Sequence, residues 1–317
     1  MITRIAVVGS GYMGGGIAQV LALAGRTVHL ADVSAEVATA SRERLLREAA
    51  EFERDGLFAA GSVAVLEKSL VAAASIEEAV ADADFIEEAV PEILELKRAT
   101  LARISAAARP DAIIGSNTST IAIGELAVAV ANPARFLGVH FSNPAPFIPG
   151  VELISHDTTD AALRDEVAAL LAEAGKRGVP ITDVTGFVLN RLQYALFSEA
   201  SRLVEEGVAS AESIDTVVRT TFGHRLPFFG PFAIADMAGL DVYDFCYRSL
   251  AEAYPERFTA PAALREHVDR GELGVKSGSG FLAMDDSSLP ALIAYRNRAY
   301  VAMSKLLDEL GPAPTRY

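Results

Sequence analysis

The chain has 317 residues, 51% of them apolar and 22% charged, which is enough apolar material for two domains of ordinary size. Its 42 acidic residues outweigh 28 basic ones, a formal charge of −14, which disfavours nucleic acid or an anionic membrane as a partner and obliges an anionic ligand to find a local basic pocket. One cysteine, Cys246, excludes an internal disulfide; no Cys/His cluster points to a metal, no apolar run is long enough to span a bilayer, and no signal peptide precedes the first strand, so a cytoplasmic protein is expected.

Arg4 to Val8 form a short apolar run ending at Gly9, the mark of a buried parallel strand. Gly9-Ser10-Gly11-Tyr12-Met13-Gly14 follows, and Gly15 to Gly25 read as a helix closed by glycine. Thr27 to Ala31 make a second strand ending at Asp32. Further strands are predicted at 84–86, 112–115, 136–140, 151–154 and 179–181, with helices at 34–54, 93–108 and 160–174. Alternating β and α predict a doubly wound sheet whose last strands are joined by loops alone, giving a mixed edge. Beyond Asp183-Val184-Thr185-Gly186 only helices are predicted, at 187–206, 211–220, 231–238, 240–253, 261–270 and 288–308. The expected organisation is therefore a sheet domain over 1–183 and an all-α domain over 184–317.

The glycines have separable tasks. Gly9 makes the turn, Gly11 lets the backbone approach a pyrophosphate, and Gly14 lets helix and strand pack closely. The helix start, with Tyr12 and Met13, then offers free N–H groups to phosphate. Asp32, about 20 residues on, is placed to accept hydrogen bonds from ribose hydroxyls and to repel a 2′-phosphate, so NAD is expected rather than NADP. Capping of the next helix is the alternative use of Asp32, although Ser34 is an equally good cap. This is a Rossmann-like pattern in α/β context.

Arg135-Phe136-Leu137-Gly138-Val139-His140-Phe141-Ser142-Asn143-Pro144-Ala145-Pro146 resembles the hallmark loop of the L-3-hydroxyacyl-CoA dehydrogenase family. Ser116–Thr120, Val151–Ile154, Gly186–Arg191, Gly230–Phe232 and Lys276–Phe281 agree with it in order and spacing. The resemblance implies a two-domain NAD-dependent dehydrogenase that acts on the 3-hydroxyl of a 3-hydroxyacyl-CoA or a related 3-hydroxy acid, in which His140 takes the hydroxyl proton and Glu152 bonds its other ring nitrogen. It implies that Ser119 and Asn190 hold the reacting oxygen, that Glu92, Lys97, Asn143 and Lys276 line the cofactor, and that two copies pair through the helical domain. Histidine is the side chain best suited to proton transfer near neutral pH, and of the five histidines only His140 has such a context. With Asn190 beyond the domain boundary, closure of the cleft would complete the site. Ser119 as a helix cap, Asn190 as an interdomain backbone anchor, Glu152 as a surface salt-bridge partner and the lysines as solvated side chains are the plainer alternatives.

The sequence departs from acyl-CoA-oxidising members after the hallmark loop. Phe147-Ile148-Pro149-Gly150 carries proline where a basic residue is usual, which is similar to the branch acting on free hydroxy acids such as gulonate, carnitine and a pyridine carboxylate. The helix at 41–55 mixes arginines with acids instead of presenting a basic rim for coenzyme A. The longer segment Gly223–Pro231 supplies Arg225, expected either to fork onto a substrate carboxylate or to lie at a surface or dimer interface. A 6-phosphogluconate-like enzyme would carry a lysine on the helix after residue 187, where Asn190-Arg191-Leu192-Gln193-Tyr194 has none. A non-catalytic NAD-binding protein remains the alternative of a different class, disfavoured by the intact His140, Glu152, Ser119 and Asn190 set.

Overall fold

A computed structural model describes residues 2–283 and 289–313. Its first half runs β1 (Arg4–Val8), α1 (Tyr12–Leu23), β2 (Thr27–Ala31), α2 (Ala35–Arg54), α3 (Ser62–Ser69), β3 (Leu70–Ala72), α4 (Ile76–Val80) and β4 (Phe85–Glu88). It continues with α5 (Leu94–Ala107), β5 (Ile113–Ser116), α6 (Ile123–Ala127), β6 (Phe136–Phe141), β7 (Gly150–Ser155), α7 (Ala161–Glu173) and β8 (Arg177–Thr182). The strands form one sheet in the order β3-β2-β1-β4-β5-β6-β7-β8. Pairing is parallel from β3 through β6, antiparallel between β6 and β7, and parallel again between β7 and β8. The reversal has a simple cause: the loop after β6 is too short for a crossover, and only antiparallel strands can be joined so directly.

Strand alternation divides the core. Ile5, Val7, Phe85 and Val139 face one side with Ile17 and Leu21 of α1. Ala6, Val8, Ile86 and Ile114 face the other with Leu101, Ile104 and Leu126. The elements that periodicity did not predict, α3, β3, α4 and α6, have eight residues or fewer, too few for a repeat to be read.

Two compact units emerge, Met1–Phe197 and Ser198–Tyr317, divided inside α8 (Leu189–Glu205). The second unit contains α9 (Ala211–Thr220), α10 (Pro231–Ala238), α11 (Leu240–Ala253), α12 (Ala262–Asp269) and α13 (Leu289–Leu310). Its core cluster is small, built on Ala235, Leu240 and Leu264. The turn Lys276–Phe281 is organised by buried Asp236, whose carboxylate accepts from the backbone N–H groups of Phe281 (3.1 Å) and Leu282 (2.9 Å). Gly280 is required there, because a Cβ would collide with Asp236 Oδ1. Among the described residues no helix is long and apolar enough to cross a membrane.

Candidate active site

A cleft of about 550 Å³ opens at the carboxyl ends of β1 and β4, lined by Gly9, Gly11, Tyr12, Met13, Asp32, Val33, Glu92, Leu96, Asn117 and Ser119 among others. Gly9 adopts φ +97°, which only glycine holds cheaply. A Cβ on Gly14 would strike the carbonyl of Gly9, whereas one on Gly11 would meet nothing within 4 Å. The first and third glycines thus close the turn, and the second leaves room for a ligand. Asp32 Oδ2 accepts from Ser10 N (2.7 Å) and Ser10 Oγ (2.6 Å), and Oδ1 from Val33 N (2.8 Å). Burial raises the Asp32 pKa, but these hydrogen bonds prevail and hold it below its ordinary value. Ser34, not Asp32, caps α2, so the carboxylate is free to serve the cleft. An open glycine turn at a helix start, with an ionised carboxylate beside it, fits the pyrophosphate and ribose of a dinucleotide.

His140 and Glu152 are directly opposed across the antiparallel β6–β7 pair, which puts both side chains on one face. Nδ1 of His140 lies 2.8 Å from Glu152 Oε2, with both residues buried. The other oxygen, Oε1, accepts from Val188 N (3.0 Å) and Leu189 N (2.9 Å), the start of α8, where free N–H groups and the helix dipole favour an anion. Gly186 at φ +76° and Phe187 at φ +50° create that turn; a left-handed Phe is strained, and its ring packs on His140 with centroids 5.7 Å apart. Burial raises the pKa of Glu152, yet bonds from His140, Leu189 and Val188 outweigh it and keep the group below the ordinary carboxylate value. A carboxylate on Nδ1 selects the tautomer in which Nε2 carries the lone pair.

Ser119 lines the cleft, and its carbonyl accepts from Asn190 Nδ2 (2.8 Å). Both residues fall in the first compact unit, so no closure is needed to join them. Ser119 is not a helix cap: the N-cap of α6 is Ala122, without a side-chain bond, and the N–H groups of Ile123 and Gly124 are satisfied by Asp183 at 2.8 and 2.7 Å. Glu92 gathers Thr118 Oγ1 and the backbone N–H groups of Ser119 and Thr120 on Oε1, each at 2.8 Å. Lys97 is not a solvated side chain. It is fully buried behind the cleft, with Nζ donating to Glu88 Oε1 (2.9 Å) and Val90 O (3.1 Å) and lying 3.6 Å from Glu92 Oε2. Its reach to the cleft is through Glu92, because an ammonium on a core-facing turn of α5 must find buried carboxylates.

Asn143 is exposed on the loop after β6. Lys276 lies in the second unit, its ammonium paired with Asp241 at 2.8 Å. Arg225, also there, is half-buried. Sequence reasoning missed Asn117, whose Oδ1 accepts from Phe141 N (2.9 Å) and ties the cleft to the His140 strand, and Asp183. Their partners lie 24 and 60 residues away, beyond any local pattern.

A dinucleotide cleft beside a buried histidine–carboxylate pair defines an oxidoreductase acting on CH–OH groups with NAD. The comparisons make the class specific. Residues 4–184 match the model of the 3-hydroxyacyl-CoA dehydrogenase NAD binding domain, and residues 186–284 match that of the 3-hydroxyacyl-CoA dehydrogenase C-terminal domain; the chain belongs to this family. It is 35% identical over 315 residues to 5-formyl-3-hydroxy-2-methylpyridine 4-carboxylate 5-dehydrogenase of Mesorhizobium japonicum, covering 97% of this chain and 99% of that one. It is 34% identical to a probable 3-hydroxybutyryl-CoA dehydrogenase of Bacillus subtilis, over 90% of this chain and 99% of that one. The crystal structure of a 3-hydroxyacyl-CoA dehydrogenase from Archaeoglobus fulgidus superposes with a TM-score of 0.79 at 33% identity, over 98% and 99% of the two chains.

Proposed function

We propose that this NAD-dependent dehydrogenase oxidises the secondary hydroxyl of a small hydroxy carboxylate that is not linked to coenzyme A, with His140 as the base. The observation that carries the chemistry is the 2.8 Å bond between His140 Nδ1 and Glu152 Oε2. With Nδ1 committed, Nε2 takes the hydroxyl proton, and the ionised Glu152 stabilises the imidazolium that results. Ser119 and Asn190 hold the reacting oxygen. Gly9, Gly11, Tyr12, Met13 and Gly14 cradle the pyrophosphate and Asp32 the ribose, with Glu92, Asn143 and Lys276 completing the cofactor's surroundings. When bound, NAD supplies the acceptor for the hydride leaving the hydroxyl-bearing carbon.

Three features support a free carboxylate. Proline stands at 149. Two of the four arginines of α2 are engaged locally, Arg42 with the carbonyls of Leu70 and Glu67 and Arg44 with Glu48 and the Ser10 carbonyl, which leaves those two unsuited to a phosphate rim. The pyridine-carboxylate enzyme aligns over nearly the full length of both chains. Arg225 is the residue we assign to the substrate carboxylate, as a charge-assisted fork. An acyl-CoA substrate is the second reading, favoured by the Bacillus relative named for 3-hydroxybutyryl-CoA.

NADH formation at 340 nm, measured with 3-hydroxybutyryl-CoA and with a panel of free hydroxy acids, separates the two. Turnover restricted to the thioester would reject the free-acid reading, and His140→Ala with turnover near wild type would reject the base. We further assign a homodimer formed through the helical unit, in a reducing compartment that suits the exposed thiol of Cys246. Of the aromatics concentrated there, Phe229 is buried, whereas Phe232 and Phe245 are 55% and 65% exposed, a face suited to a second copy.

A further inference from the structure

We infer that Lys176 is a positioning residue for the reaction, acting through the loop 142–149 that joins the His140 strand to the Glu152 strand; this rests on the reading of His140 as the base. Lys176 follows α7 after Gly175 in the left-handed region (φ +71°), and only 6% of it is exposed. Its ammonium donates to the carbonyls of Ala145 (2.6 Å), Pro146 (3.0 Å) and Ile148 (2.8 Å). An ammonium has three donors and no acceptor, so one side chain spends its whole capacity on one loop. The next N–H in the chain, that of Arg177, adds a bond to Pro149 O (2.8 Å).

The opposite side of the loop is pinned as well. A Cβ on Gly16 of α1 would lie 3.0 Å from Pro146 Cδ and 3.3 Å from Ala145 Cβ, so glycine at 16 sets how closely the loop approaches the helix. The Phe147 ring packs on Phe52 and Phe58, with centroids 5.2 and 6.1 Å apart. Burial without a carboxylate lowers the Lys176 pKa, and an apolar side chain of the same volume would fill this space without that penalty. What an apolar side chain cannot supply is convergence of three carbonyls on one point. That point holds the path of the loop that leads into the register setting His140 opposite Glu152; a slip of one residue would send the imidazole to the other face of the sheet.

The test compares Lys176→Met, Lys176→Arg and Gly16→Ala in the full chain, reading kcat, KM for NAD and Tm, with kinetics taken well below each Tm. Lys176→Met is expected to lower kcat at least tenfold with KM for NAD within about twofold, and Lys176→Arg to recover only part of it, since a planar guanidinium does not converge on three acceptors. Gly16→Ala presses on Pro146 from the other side of the loop, so kcat is expected to fall several-fold with KM for NAD within about twofold, which separates the loop from the neighbouring cofactor cradle. If Lys176→Met fails to fold, Gly16→Ala alone decides. Full kcat in Gly16→Ala, or in folded Lys176→Met, overturns the inference. His140→Ala run alongside separates the failures: an active His140→Ala removes the parent reading, whereas an inactive one beside fully active loop variants removes only the role of Lys176.

Discussion

The two compact units solve the problem of a stable interior differently. In the first, a sheet covered on both faces buries nearly every residue of its central strands β1, β4, β5 and β6, and charged groups there find partners at home, as Lys97 does with Glu88 and Asp84 with the backbone of Thr3 and Arg4. In the second, the core cluster rests on three small or medium side chains, while Val217, Phe232, Phe245 and Leu310 stay exposed. Sheets bury two faces at once, whereas helices of ten or so residues bury only one stripe each and need neighbours. The contrast teaches that the proposed chemistry draws on the part of the chain where geometry is over-determined, and that the helical unit leaves apolar surface exposed.

The sharpest way to break the comparison is to disturb the first unit by one atom. Glu152→Gln keeps the shape, but its amide can donate to Nδ1 and favour the tautomer with a proton on Nε2. kcat is expected to fall by roughly 10²–10⁴-fold; a loss under threefold at 340 nm would remove Glu152 from the mechanism. The same carboxylate links folding to pH. Its pKa is depressed in the folded state, so its stabilisation is present above the ordinary carboxylate value and is lost as pH falls through the folded one. Thermal melts between pH 7 and pH 3 should therefore show a shallower decline for Glu152→Gln than for the wild type.

In the helical unit, Phe245→Asp is expected to turn a dimer into a 33.5 kDa species in sedimentation velocity at micromolar concentration, with kcat changed far less than by Glu152→Gln. A wild type already monomeric under those conditions would dispose of the dimer.

The smallest effect concerns a group of the first unit that escapes the pattern. Glu87 is fully buried, and among the described residues neither carboxyl oxygen has a hydrogen-bond partner. Burial, then repulsion from Glu88, raises its pKa well above the usual value. The folded state therefore holds a proton that the unfolded chain releases, and stability falls as pH rises from the unfolded pKa toward the folded one. Glu87→Ile is expected to stabilise by roughly 1–3 kcal/mol at pH 8, a rise of a few degrees in Tm, and by much less at pH 4. A lower Tm at pH 8 would show that the carboxyl has a use.

Much of the fold was legible because it is local. The strand, glycine turn, helix, strand and acid from Arg4 to Asp32 follow from residues close in sequence, and so does the strand ending in His140. Adjacent Glu87 and Glu88 show where local reading ends. On paper they are two equal acids in one strand. In the sheet, alternation sends Glu88 to Lys97 and to Ser116 Oγ (2.5 Å) and leaves Glu87 over Gly115, where a Cβ would collide with its carboxyl. The burial of Lys97 was hidden for the same reason, since periodicity gives the face of a helix but not what waits beneath it.

The longer strands and helices and the glycine turn were determined by the sequence alone, because each rests on backbone preference or hydrophobic pattern over a short span, and the expectation of His140 and Glu152 as a pair came with the family resemblance. Which lysine faces solvent, which acid goes unpaired and which ammonium gathers the loop beside the site were decided only by tertiary structure. Those outcomes depend on groups from distant segments meeting in a medium where an unpaired charge is costly.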